Sequence, residues 1–263
     1  MFLKRTFSSA LFYLRENEKR KEKFMRNQFL STIILTSGLL SACTSYQTKP
    51  FLVETTPTLP NAAVEFETTI TKADETQRHY RWYFWRADNR VEMRNPQDNS
   101  SEEWTRLDNG QVEYSMIFHD DKQTIDYNAV DLGMIGETPN WTKTTLLFSP
   151  EMMATLVSDS DETLFNQKAI HYKTNLPNTV FEVTWLTQMQ VPAMIKREVN
   201  GQVITTKIVS LEPAVKSMLS NPEASAYYHT VFADIGDKES DPFIKSVMHK
   251  LKGSHDHDHG HGE

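Results

Sequence analysis

Four histidines stand at every second position of the run His255-Asp256-His257-Asp258-His259-Gly260-His261-Gly262-Glu263. A chain of that composition has no core to join. His255, His257, His259 and His261 could therefore wrap one Zn²⁺, Ni²⁺ or Cu²⁺ through neutral imidazoles, at about 2.0–2.1 Å per Zn–N bond. Protonation would release the ion below roughly pH 6. The same residues would also serve as a solvated spacer, and Gly253-Ser254 ahead of them leaves room for a purification tag. His229 and His249, upstream, could complete the site or simply face solvent. A second candidate for cations, Asp234, Asp237, Glu239 and Asp241 around Gly236, lacks the ligand order of an EF-hand. A solvated turn explains it better, with Asp241 capping a helix whose first residue is Pro242.

Catalytic chemistry has little to build on. The chain holds one cysteine and nine glycines, and it carries no phosphate-binding Gly-rich loop, Gly-x-Ser-x-Gly elbow, His-Glu-x-x-His or paired-cysteine zinc pattern. Acidic pairs such as Glu102-Glu103 and Asp120-Asp121 read as surface charge. No catalytic residue is expected, no cofactor is required, and the protein reads as a non-enzyme.

The densest apolar feature is His79-Tyr80-Arg81-Trp82-Tyr83-Phe84-Trp85-Arg86. On a strand, Tyr80, Trp82 and Phe84 share one face while Arg81, Tyr83 and Trp85 share the other. Either this is a central strand covered on both sides, or one face lines an apolar cavity, with Trp104, Trp141 and Trp185 contributing. Methionines are plentiful, 11 in all. They lack the tight spacing of a copper site and read as core filling.

The lone cysteine closes Leu40-Ser41-Ala42-Cys43, after the apolar stretch FLSTIILTSGLL. At twelve residues that stretch is too short to span a bilayer, which takes about 20. Preceded by basic residues and followed by small ones, it has the layout of a secretory signal. The whole resembles the lipobox of bacterial lipoproteins. That resemblance implies cleavage before Cys43, acylation of its thiol, and a stable anchor by two or more fatty chains. Thr44, in place of an aspartate, implies delivery to the outer membrane, facing the periplasm. Residues 1–42 are then a signal peptide, of which 1–24 look like an over-extended gene start with Met25 as the true one. With Cys43 acylated, no thiol is left for disulfides or thiol catalysis.

Losing the leader removes 8 of 28 basic and 3 of 35 acidic residues, which leaves 20 against 32 and a net charge near −12. So acidic a surface repels polynucleotides and anionic headgroups, and nucleic acid is excluded as a partner.

Residues 43–61 form a Thr/Pro-rich lipidated tether, 62–251 a single β-rich domain, and 252–263 a disordered His/Asp-rich tail. Short runs alternating on a period of two recur throughout the domain: AVEFETTITK, RHYRWYFWRA, RVEMRN, EEWTRL, QVEYSMIFH, KQTIDY, FEVTWLTQ, AMIKREV and QVITTKIVSL. Asn200-Gly201 between the last two is a strong hairpin signal. WTKTTLLFSPEMMATLV has helical spacing, and AVKSMLS and DPFIKSVMHKL read as short helices. The fold class is α+β, mostly antiparallel β: nine to eleven strands in an open half-barrel or strongly curved sheet, with short helices covering one face.

This order of strands, central helices and more strands after a lipobox resembles the LolA/LolB-type lipoprotein carriers. It implies an apolar ligand or lipidated partner held in a sheet-built concavity, with Tyr80, Trp82, Phe84, Trp104 and Trp185 as lining. The alternatives are a divalent-metal-binding lipoprotein acting through its tail and an assembly or structural factor of the envelope with an envelope protein as partner.

Overall fold

In the computed structural model of the chain, residues 50–51, 59–212 and 224–252 are described. All belong to the compact unit from Pro50 to Glu263. Cys43, the histidine tail and the AVKSMLS segment lie outside the described residues.

Twelve strands form one sheet that does not close. They are β1 (Ala62–Thr71), β2 (Gln77–Ala87), β3 (Arg90–Asn95), β4 (Ser100–Arg106), β5 (Val112–Phe118), β6 (Gln123–Tyr127), β7 (Leu156–Leu164), β8 (Gln167–Thr174), β9 (Phe181–Leu186), β10 (Val191–Val199), β11 (Gln202–Glu212) and β12 (Tyr228–Val231). Their spatial order is β12-β6-β5-β4-β3-β2-β1-β11-β10-β9-β8-β7. Neighbours run antiparallel except β12, which adds to β6 in parallel. The nine strands expected from alternation are present. β7, β8 and β12 are additions to that expectation, and β7 starts at Leu156, inside the segment with helical spacing.

Turn chemistry sets the meander. Asn200 and Gly201 both have positive φ, 52° and 71°, as the expected two-residue hairpin turn between β10 and β11 requires. Three bulges interrupt the ladder, at Val209 on β11, Ala193 on β10 and Asp159 on β7. Each extra residue bends its strand and raises the local twist, which helps the sheet curl. Pro192, otherwise out of place inside a sheet, sits beside the second bulge.

Among the described residues there are four short α-helices: α1 (Ala129–Met134), α2 (Trp141–Leu146), α3 (Pro150–Met153) and α4 (Pro242–Lys252). Each starts on a side-chain cap. Asn128 and Asp131 make a capping box for α1, Asn140 caps α2, and Ser149 caps α3 ahead of Pro150. Asp241 Oδ1 accepts from the amides of Phe243 and Ile244 at 2.7 and 3.2 Å, so the acidic loop ends in the expected cap for α4. No helix among the described residues is long and apolar enough to cross a membrane.

Candidate functional site

Register decides which side chains share a face. Following paired residues from strand to strand, Ile125, Tyr114, Trp104, Val91, Arg86 and Ala62 lie on one side, as do Phe84, Val64, Phe66, Thr206, Ile195, Val183 and Tyr172. This inner face is largely apolar, with Arg86, Glu102, Thr68, Thr206, Arg78 and Arg197 as polar members. All five proposed lining residues, Tyr80, Trp82, Phe84, Trp104 and Trp185, point to it by register.

The five are nevertheless divided among different surroundings. Trp104 packs with Tyr114, Tyr127, Leu132 of α1 and Ile244 and Val247 of α4, and Trp141 of α2 lies against the same cluster. Trp185 packs with Phe51, Leu146 of α2, Phe148, Phe181 and Tyr172. Phe51 and Phe148 meet its indole edge-on, at 5.2 and 5.8 Å between centroids. Neither cluster contains a residue of β1, β2 or β11. Tyr80, Trp82 and Phe84 lie between the two, on the central strands. There Phe66 stacks on Trp82 at 4.7 Å and meets Phe84 edge-on at 6.3 Å.

One cation organises the upper end of this central region. Arg86 is 1% exposed and donates five hydrogen bonds to four carbonyls: twice to Pro60 and once each to Thr145, Met189 and Gln190, at 2.8–3.1 Å. Burial pulls its pKa down to about 10, so the guanidinium stays charged at neutral pH. It joins β2 to the end of α2, the β9–β10 turn and the strand-leading Pro60. The sequence placed Arg86 next to the aromatic run without revealing this role. An arginine at the inward parity of the strand, directly after the buried aromatics, was the available signal.

Further down, the apolar rows give way to hydroxyls. Trp82 Nε1 donates to Thr68 Oγ1 at 3.0 Å, and the Thr68 and Thr206 hydroxyls are hydrogen-bonded at 2.8 Å across β1 and β11. Tyr80 lies beside Thr68, and burial pushes its phenol up to about 12. It is therefore a neutral donor throughout the physiological range.

The outer face has the opposite chemistry. Cross-strand ion pairs run along it: Asp159–Lys173 at 2.8 Å, Glu182–Lys196 at 3.1 Å, Arg81 with Glu65 and Glu67 at 3.4 Å, and Arg90–Glu103. His171 reaches Glu162 at 2.8 Å, and His229 reaches Asp126 at 2.7 Å and Thr124 at 2.8 Å. His229 is thus held on the sheet. Among the described residues no three His, Cys, Asp or Glu side chains are grouped to hold a metal ion.

A serine and a histidine do meet on this face. Ser101 Oγ donates to Glu92 Oε1 at 2.7 Å, and His119 Nε2 lies 2.9 Å from the same hydroxyl. With Ser101 donating to the carboxyl group, His119 can only donate to Ser101, the reverse of the proton flow in a nucleophilic triad. His119 Nδ1 faces the Tyr227 hydroxyl at 3.3 Å rather than an acid. Ser101 is also buried. The chain Glu92–Ser101–His119–Tyr227 ties β3, β4 and the end of β5 to the segment leading into β12. Glu92 is buried, with Oε2 lacking a hydrogen-bond partner, and burial first, then the nearby Glu103, raise its pKa above the usual range.

No family model matches the chain, and no curated protein matches it. Among solved structures it is similar to PNGF-II, at 9% identity and a TM-score of 0.36, covering 65% of this chain and 31% of that one. It is also similar to MucB, at 13% identity and a TM-score of 0.36, covering 61% of this chain and 57% of that one. A LolA superfamily protein from Nitrosomonas europaea aligns at 8% identity and a TM-score of 0.31, over 62% of this chain and 91% of that one. The chain thus spans about a third of the PNGF-II structure and just over half of MucB. Likeness at this depth carries nothing about ligand or activity.

Proposed function

We propose that this chain is a bacterial envelope lipoprotein, anchored through Cys43 to the outer membrane and facing the periplasm. There it holds an apolar ligand, or the lipid of a partner, against the inner face of its sheet. The step is physical rather than chemical: apolar surface leaves water on binding and returns by exchange. One observation carries the reading. Register gathers Tyr80, Trp82, Phe84 and Phe66 on the inner face of an unclosed sheet, between two helix-packed clusters, while salt bridges occupy the outer face. Native mass spectrometry of the full chain purified from its own membranes tests it. Co-purified lipid, lost when the half-buried Ile208 beside Phe66 is replaced by a charged residue in a variant that still folds, is the expected result. Preparations that never carry lipid count against it. Growth on labelled palmitate tests the anchor, which requires label in the wild type and none in Cys43→Ser.

The tail supports a second reading, metal binding, through the spacing of His255, His257, His259 and His261. Calorimetry with Zn²⁺, Ni²⁺ and Cu²⁺, with and without residues 253–263, should show heat only when the tail is present. Equal, negligible heats from both remove this reading.

A further inference from the structure

Pro50 and Phe51 belong to the Thr/Pro-rich stretch that leads from Cys43 toward β1, yet they are fastened to the sheet. Pro50 forms an antiparallel bridge with Val157 of β7, the strand at one end of the sheet. The Phe51 amide donates to the carbonyl of Leu156 at 3.3 Å. Its ring is 7% exposed and enters the cluster around Trp185. Phe148, Tyr172 and Trp185 meet it edge-on, at 5.7, 4.8 and 5.2 Å between centroids. Three aromatic partners and a main-chain bond at a single residue make this a clip that fastens the chain to the domain.

The clip sets how far the domain can stand from Cys43. The seven residue steps from Cys43 to Pro50 span about 25 Å even when fully extended. Without the clip, the next held residue among those described is Leu59, which packs on the same cluster, and the reach grows to about 55 Å. The sheet is wide by comparison. Twelve strands put β12 about 50 Å from β7, measured along the sheet. Charge divides the two edges in the same sense. Residues 156–199, which build β7 to β10, hold five acidic and four basic residues. On β7, Asp159, Asp161 and Glu162 each meet a base of β8: Lys173, Lys168 and His171. Residues 112–137, which build β5, β6 and α1 toward the other edge, hold six acidic residues and one basic. An anionic headgroup layer repels the second group far more than the first.

We infer that the β7 edge of the sheet is the surface turned to the headgroups of the membrane that carries the anchor, and that Phe51 keeps it there. The side built by β5, β6 and β12 is turned away from that membrane. Reach and charge act together: the short tether holds β7 near the lipid, and the acidic side is pushed off it. The inference rests on the Cys43 anchor and takes nothing from the reading of the inner face as a ligand site.

Energy transfer to acceptor-labelled headgroups tests it. The full lipidated chain is purified from its own membranes and returned to vesicles of phosphatidylethanolamine and phosphatidylglycerol. Acylation leaves Cys43 without a thiol, so an engineered cysteine takes the dye alone. Ser160→Cys is at an exposed position on β7. Ser240→Cys is exposed near the other edge, two residues after Lys238, which bonds Tyr228 and Thr230 of β12. Transfer from the Ser160→Cys dye should be at least two-fold that from the Ser240→Cys dye. A flexible Gly/Ser stretch inserted between Lys49 and Pro50 leaves the clip and the domain untouched and should bring that ratio close to one. Phe51→Ser should do the same. Equal transfer from the two sites, or a ratio unmoved by the insertion and by Phe51→Ser, overturns the inference and leaves the anchor standing. Protein that fails to float with the vesicles overturns the anchor and the inference with it.

Discussion

The two faces of this sheet are built from the same strands, yet their energetics have little in common. The inner face is held by area: aromatic and branched side chains buried completely, with the buried charge of Arg86 satisfied wholly by carbonyls. The outer face is held by pairs between half-exposed charges, worth little each in water. The contrast teaches where substitutions will be felt. Inner-face changes act on folding and on whatever that face holds, while outer-face changes act mainly on solubility and edge behaviour.

The sharpest break in that contrast is Phe84→Ala. Phe84 is fully buried, so removing its ring should cost about 3–5 kcal/mol in urea unfolding. Arg86→Met comes next. It strips partners from four carbonyls, two of them in fully buried bonds, and should cost on the order of 3 kcal/mol, with the junction of β2, α2 and the β9–β10 turn opening first in hydrogen exchange. If Arg86→Met were as stable as the wild type, the organising role assigned to that guanidinium would be lost.

Glu92 is the outer-face residue that behaves like an inner one. Its raised pKa means the folded state holds the proton more tightly than the unfolded chain does. The resulting stability is fully present below the ordinary value of 4.5 and is lost as pH rises through the raised value. Glu92→Gln should flatten that slope and leave the protein more stable than wild type at neutral pH. A slope that survives the substitution must belong to another group. The smallest effect belongs to Lys173→Ala, whose pair with Asp159 is more than half exposed at both ends. It should shift stability by less than about 1 kcal/mol, and by less again in high salt.

Much of this was legible in the residues. The alternation in AVEFETTITK and RHYRWYFWRA set β1 and β2 and put Tyr80, Trp82 and Phe84 on one face, because parity is a local property of a strand. Asn200-Gly201 fixed its hairpin because both positions need positive φ. β7 and β8 stayed hidden for an equally physical reason. Leu156–Leu164 reads LVSDSDETL, an acidic stretch with weak strand propensity, and it is paired through Lys173, Lys168 and His171, which follow later in the chain. β12, four residues pairing in parallel with β6, carries no local signature of that partner.

Composition, spacing and parity therefore determined the sheet-rich class, the acidic charge, the poverty of catalytic motifs and the facing of each aromatic along its own strand. Each of those depends on neighbours in the chain. Which strands lie side by side was decided only by the tertiary structure. It alone put Arg78 and Arg197 in one row, separated Trp104 and Trp185 from the central aromatics, and set Arg86 beneath four distant carbonyls. Register joins residues more than a hundred positions apart, and no local rule of propensity or period reaches that far.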